Sequence, residues 1–249
     1  MQTKTMRLAA LLSALTAAHA AHAAFVLPTA FGWDRGDSGS AHFQWDSFED
    51  PSGGNFPDGG QFPTDLPNNW ATPDVVELSG ASFITSGGNI YSFSVATSFE
   101  VTLPNYGLEG EDRLYAGSEE AMSTSVLVQI RTLGSEVDTT SPRIGNFAPS
   151  ERIELEREIL GGEFGGVQVD TLFRFDLPGN LDVYTLTFNA AASSMSLDRL
   201  SIDTFVTASD FVPNAASLLS IGATSAVPAP AGLACVLGAG LVLSRRGRP

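Results

Sequence analysis

From Val75 to Val206 apolar side chains recur at every second position in short runs, and each run stops at a cluster of Gly, Pro, Asn or Asp. A repeat of two puts successive side chains on opposite faces of an extended chain, whereas a helix needs a repeat near 3.6. The runs read as strands. Tyr91, Phe93 and Val95 are expected to share one face, as are Phe99, Val101 and Leu103. Ser86-Gly87-Gly88-Asn89 reads as the turn of a hairpin between 81–85 and 90–96. Val126, Val128 and Ile130 make another face, then Ile153, Leu155, Arg157 and Ile159. Val167 to Phe175, Tyr184 to Phe188 and Leu200 to Val206 follow in the same style, and His42-Phe43-Gln44-Trp45-Asp46 is an earlier strand. Residues 151–160 contain good helix formers, but the apolar positions alternate, which favours strand.

Composition agrees. With 25 Gly, 14 Pro and only 16% charged residues, the chain lacks the Ala/Glu/Lys/Leu richness of helical bundles. The expected fold is all-β: a single antiparallel β-sandwich over 24–212, jelly-roll-like, with a signal helix before it and a short transmembrane helix after it.

Cysteine and histidine limit the chemistry. Cys235 is the one cysteine and lies in the C-terminal apolar run. No intrachain disulfide, thiol nucleophile in the body or cysteine zinc site is available. His19 and His22 lie in the leader, so serine-hydrolase chemistry would run through His42 alone. Between the two ends, eight basic residues, all Arg, face all 28 acidic ones, a net charge of −20. Nucleic acid is a poor partner and binding to an anionic membrane surface is disfavoured, because both need clustered Lys and Arg.

The two ends read as addresses. Lys4 and Arg7 precede a short apolar run, Leu8 to Ala18, and the small-x-small sites Ala18-His19-Ala20 and Ala21-His22-Ala23. This is a secretory signal peptide, residues 1–23, cut after Ala23. Residues 213–226 form a linker rich in Ala, Ser, Gly and Thr. Residues 227–249 hold Val227-Pro228-Ala229-Pro230, an uncharged apolar stretch over 231–243, and a terminus carrying Arg245, Arg246 and Arg248. Thirteen helical residues reach roughly 20 Å, short of a hydrocarbon core of about 30 Å. The arginines are expected to stay on the cytoplasmic side, with the body outside.

This tail resembles the PEP-CTERM sorting signal of Gram-negative bacteria. Pro228 and Pro230 match its two prolines, and Ala229 stands where Glu is usual. The resemblance implies export across the inner membrane, transient anchoring there, and processing by an exosortase, a membrane-embedded cysteine transpeptidase. It also implies a place at the cell surface or in a polysaccharide-rich biofilm matrix. It says nothing about the chemistry of the body.

Trp33 and Trp70 lie among Gly, Pro and Asp and are candidates for stacking on sugars, the alternative being core. Trp45 reads as core. Asp34, Asp37, Asp198 and Asp203 are candidates for a structural calcium, by analogy with jelly-roll carbohydrate modules. Carboxylate pairs for glycoside hydrolysis can be nominated at Glu109/Glu111, Glu119/Glu120 or Asp170/Asp176. Arg35-Gly36-Asp37-Ser38 holds an adhesion-type tripeptide but has turn composition. The expected function is therefore non-enzymatic. It is that of an exported surface or matrix protein, an adhesin or glycan-binding module, with extracellular polysaccharide as partner and no catalytic residue. The alternatives are a secreted glycan-active hydrolase and a permanently anchored type I membrane protein.

Overall fold

The computed structural model describes residues 25–37, 39–61, 71–104, 122–161, 165–181 and 183–208. The signal peptide, linker and tail expected over 1–23, 213–226 and 227–249 lie outside them. Within the described residues the protein is mostly strand, with one short 3₁₀ turn, Pro28–Phe31, and no α-helix. No described helix is long and apolar enough to cross a membrane.

Among the described residues, twelve strands follow in chain order: β1 Ser40–Trp45, β2 Gly59–Gln61, β3 Asp74–Glu77, β4 Ser82–Ile84, β5 Ile90–Ser92, β6 Ser98–Pro104, β7 Met122–Gly134, β8 Arg143–Ile144, β9 Glu151–Ile159, β10 Val167–Pro178, β11 Val183–Asn189 and β12 Met195–Ala208. They form two antiparallel sheets. The larger runs β2-β1-β12-β7-β10-β9, with β5 added beside the start of β12 and β4 beside β5. The smaller runs β3-β6-β11-β8.

The alternation read from sequence places the core. Phe43 and Trp45 of β1, Val126, Val128 and Ile130 of β7, Phe173 and Phe175 of β10, and Leu200 and Ile202 of β12 join one buried cluster. Val75 of β3, Phe99, Val101 and Leu103 of β6, and Leu186 and Phe188 of β11 belong to the same cluster, so the two sheets share one core. Phe99 and Phe188 sit directly opposite in register and stack at 4.9 Å. The Tyr184 hydroxyl of β11 donates to Thr124 Oγ1 of β7 at 2.9 Å, a polar tie between the sheets.

The outer face of the larger sheet is covered by the chain's own start. Residues 25–37 lie across it as a strap. Phe31 and Trp33 pack with Leu127, Leu172, Ile153, Leu155 and Phe205. The Gln129 side chain clasps Val26 at both ends: Val26 N donates to Oε1 at 2.6 Å, and Nε2 donates to Val26 O at 2.8 Å. Strands β7 and β10 are thus buried on both faces. That is why Gln129, Arg131 and Asp170, which alternate with the core residues, are also buried.

Two details differ from the sequence reading. β5 stops at Ser92, so Phe93 and Val95 lie beyond the strand whose face they were expected to share with Tyr91; Phe93 is 68% exposed. β9 is a strand, as alternation predicts, but a bulge interrupts its pairing: Asp170 faces Glu156 and Thr171 faces Glu154, which leaves Leu155 as the extra residue. Ile153 and Leu155 pack under the strap, whereas Arg157 and Ile159 turn to the opposite face, and Ile159 is 82% exposed.

Candidate functional site

Three places in the body carry the chemistry that the sequence nominates or hides. The first is the polar layer under the strap. Arg35 grips buried Asp203 with two hydrogen bonds, Nε to Oδ1 at 2.6 Å and Nη2 to Oδ2 at 2.9 Å. His42 sits opposite Asp203 across β1–β12, and its Nε2 is 3.3 Å from Ser201 Oγ. A serine, a histidine and an aspartate therefore meet, but not as a catalytic relay. Both Asp203 oxygens are engaged by Arg35 and not by the imidazole, and Ser201 is fully buried on a paired strand. Burial, and then the charge of Arg35, lowers the His42 pKa to about 4, so the ring is neutral at pH 7. Burial pushes the Asp203 carboxyl up, against the pull of Arg35. The Arg-Gly-Asp tripeptide is thus part of the fold's own wiring, with Asp37 Oδ2 accepting from Asp34 N at 2.7 Å.

The four calcium candidates are not gathered. Asp203 is held by Arg35, Asp37 caps Asp34, and Asp198 Oδ1 accepts from Asn89 Nδ2 at 2.9 Å. Asp198 and Asp203 are five residues apart on one strand, about 16 Å at strand rise. No cluster of three or more metal-ligating side chains occurs among the described residues. The turn acids act as acceptors for backbone N–H groups instead. Asp58 takes Asp46 N and Ser47 N, and Asp74 takes Gly54 N and Asn55 N.

The second place is a groove of about 620 Å³ at the free edge of the larger sheet, between residues 134–139 and the inward side of β9. The β-bulge builds it. In a regular strand Glu154 and Arg157 would face opposite ways; the extra residue puts both on one side. Arg157 then holds two carboxylates, Glu136 at 2.7 Å and Glu154 at 2.9 Å. Its guanidinium lowers the pKa of both, so both are ionised. Glycoside hydrolysis needs one carboxyl kept protonated as the acid, and this arrangement does the reverse. Of the nominated pairs, Asp170 is gripped by Arg131 and Asp176 by Arg174. Six residues along one strand separate them by about 20 Å, beyond the span of a glycosidase pair. Glu109, Glu111, Glu119 and Glu120 lie outside the described residues.

The third place is the β4–β5 hairpin, and it corrects the aromatic assignment. Trp33 is not a sugar platform: it is 3% exposed and stacks flat on Phe205 at 5.1 Å. The strap needs a large apolar side chain to seal the outer face of the sheet, and Trp33 supplies it. Trp45 is core, as read, with its indole N–H donating to Asn55 O at 2.8 Å. Trp70 lies outside the described residues. The hairpin instead presents exposed Phe83 and Phe93 beside half-buried Tyr91. Phe83 faces Tyr91 directly across the hairpin with ring centroids 5.4 Å apart, and Phe93 follows at 6.3 Å from Tyr91. On the reverse side Ile84 and Ile90 pin the hairpin to the core. Sequence reasoning missed this set because the hairpin is apolar on both faces, and alternation alone does not say which face is inside.

The motifs quoted from the tail, Val227 to Pro230 and Arg245, Arg246 and Arg248, lie outside the described residues. Comparison with family models, with curated proteins and with solved structures gave no match.

Proposed function

We propose that the chain is an exported, non-enzymatic protein of the cell surface or extracellular matrix of a Gram-negative bacterium, a jelly-roll-like sandwich delivered by its two ends. Residues 1–23 act as the signal peptide. The tail, 227–249, rests briefly in the inner membrane through 231–243 and is processed by an exosortase at Val227-Pro228-Ala229-Pro230. Arg245, Arg246 and Arg248 hold its end on the cytoplasmic side.

One observation supports this reading most. The residues that directly follow the expected cut are structural: Gln129 clasps Val26 through both backbone groups, and the Phe25 ring lies 6.0 Å from the Arg131 guanidinium. The strap thus uses the first described residues after the expected cut. The self-paired polar groups described above favour a scaffold over a hydrolase.

Fractionation of cells making the full chain, or a chain ending at residue 226, tests the sorting step. The full chain is expected at the surface or in the matrix and the shortened chain in the periplasm. Equal distribution of the two would overturn a sorting role for the tail.

A further inference from the structure

We propose that the β4–β5 hairpin is a binding site for single chains of a neutral, soluble polysaccharide, held by Phe83, Tyr91 and Phe93. The inference deepens the matrix reading by naming the partner's chemistry, and its test does not depend on export.

Three observations carry it. First, the Phe83 and Phe93 rings, on either side of half-buried Tyr91, are exposed in a way that the fold does not need. Phe83 is 52% and Phe93 68% exposed, while Ile84 and Ile90 on the reverse face already anchor the hairpin. Leaving such rings in water is costly unless something covers them. Second, the hairpin's own segment is uncharged and rich in hydroxyl groups. Leu78 to Phe99 contains no charged residue but eight Ser or Thr besides Gly and Asn, within a chain of net charge −15. The Tyr91 hydroxyl has no hydrogen-bond partner among the described residues. An anionic polymer would meet the field of the acidic body; a neutral one would not. Third, the ring geometry selects the form of the ligand. The centroid spacings, 5.4 and 6.3 Å, are near the length of one pyranose unit. The planes are turned by 80° and 55°, so the site is a twisted ridge and not a flat plate. A crystalline polysaccharide face cannot touch all three rings. A single flexible chain can present the C–H face of successive sugars to each ring and its hydroxyls to Tyr91.

Affinity electrophoresis of the full chain in mild detergent tests the proposal. The gels contain hydroxyethylcellulose, a galactomannan or a soluble β-glucan, with alginate as the anionic polymer; pull-down on microcrystalline cellulose tests the flat surface. Retardation by at least one neutral soluble polymer is expected, with none by alginate and no retention on the crystalline solid. The F83A/F93A variant is expected to weaken retardation about tenfold. F83L/F93L, which keeps apolar bulk and removes the rings, should weaken it similarly. F147A, at an exposed phenylalanine elsewhere, should not. Unchanged melting temperatures would confirm that the variants fold. Retardation by none of the neutral polymers, retardation by alginate alone, or binding unaltered in F83L/F93L would overturn the proposal. So would a concentration-dependent dimer that the same substitutions abolish, which would make the hairpin a contact between copies of this chain.

Discussion

Arg35 and His42 are each responsible for one buried polar neighbour. With Arg35 removed, both oxygens of Asp203 would lose their partner at a position without solvent access. Arg35→Ala is expected to cost about 2–4 kcal/mol by denaturant titration, while Asp203→Asn, which removes the charge itself, costs less. His42 sets a pH dependence. The unfolded chain takes up this proton near 6.5 and the folded one only near 4. Between those values the unfolded state binds more protons, so stability falls as pH drops from about 6.5 to about 4 and loses nothing more from this group below that. The raised Asp203 carboxyl works the other way: as pH falls towards 3.8 the folded state gains from its protonation, which offsets part of the loss at the acid end. His42→Gln should flatten the fall between pH 6.5 and 4.5; a stability profile unchanged from wild type would contradict the assignment. None of this was legible in the sequence. Arg35-Gly36-Asp37 reads as a turn, and it is one, but the buried partner of Arg35, Asp203, is 168 residues away.

At the level of elements, the alternating runs gave most of the strands, including 151–159 and the hairpin that β4 and β5 form. They could not give the bulge at Leu155, because it carries no Gly or Pro to mark it. Nor could they show that Leu127, Gln129 and Arg131 are covered, since the cover comes from residues 25–37 about a hundred positions earlier. One junction depends on glycine alone. The ends of β7, β10 and β12 converge at Gly134, whose φ is +85°; a Cβ there would lie 2.4 Å from Ser194 O. Gly80 also has a positive φ, +68°, but open space around it. Gly134→Ala is expected to cost about 3 kcal/mol or more by thermal or chemical denaturation, and Gly80→Ala about 1 kcal/mol. Equal costs would mean that the three strand ends do not meet this closely.

Across the described residues, the first and last strands lie side by side, with Ser40 of β1 opposite Phe205 of β12 near the middle of the larger sheet. The strap then closes over the same sheet. A chain whose first residues complete its last strand cannot finish folding until nearly all of it is present, and such long-range pairing makes folding slow. That order suits a protein threaded across a membrane before it folds. The most direct test of the delivery account is intact-mass spectrometry of the native protein recovered from the cell surface or matrix. The account predicts a chain that begins at Ala24 and has lost the segment carrying Arg245, Arg246 and Arg248. A chain recovered from the cytosol with Met1 and Pro249 both present would contradict it.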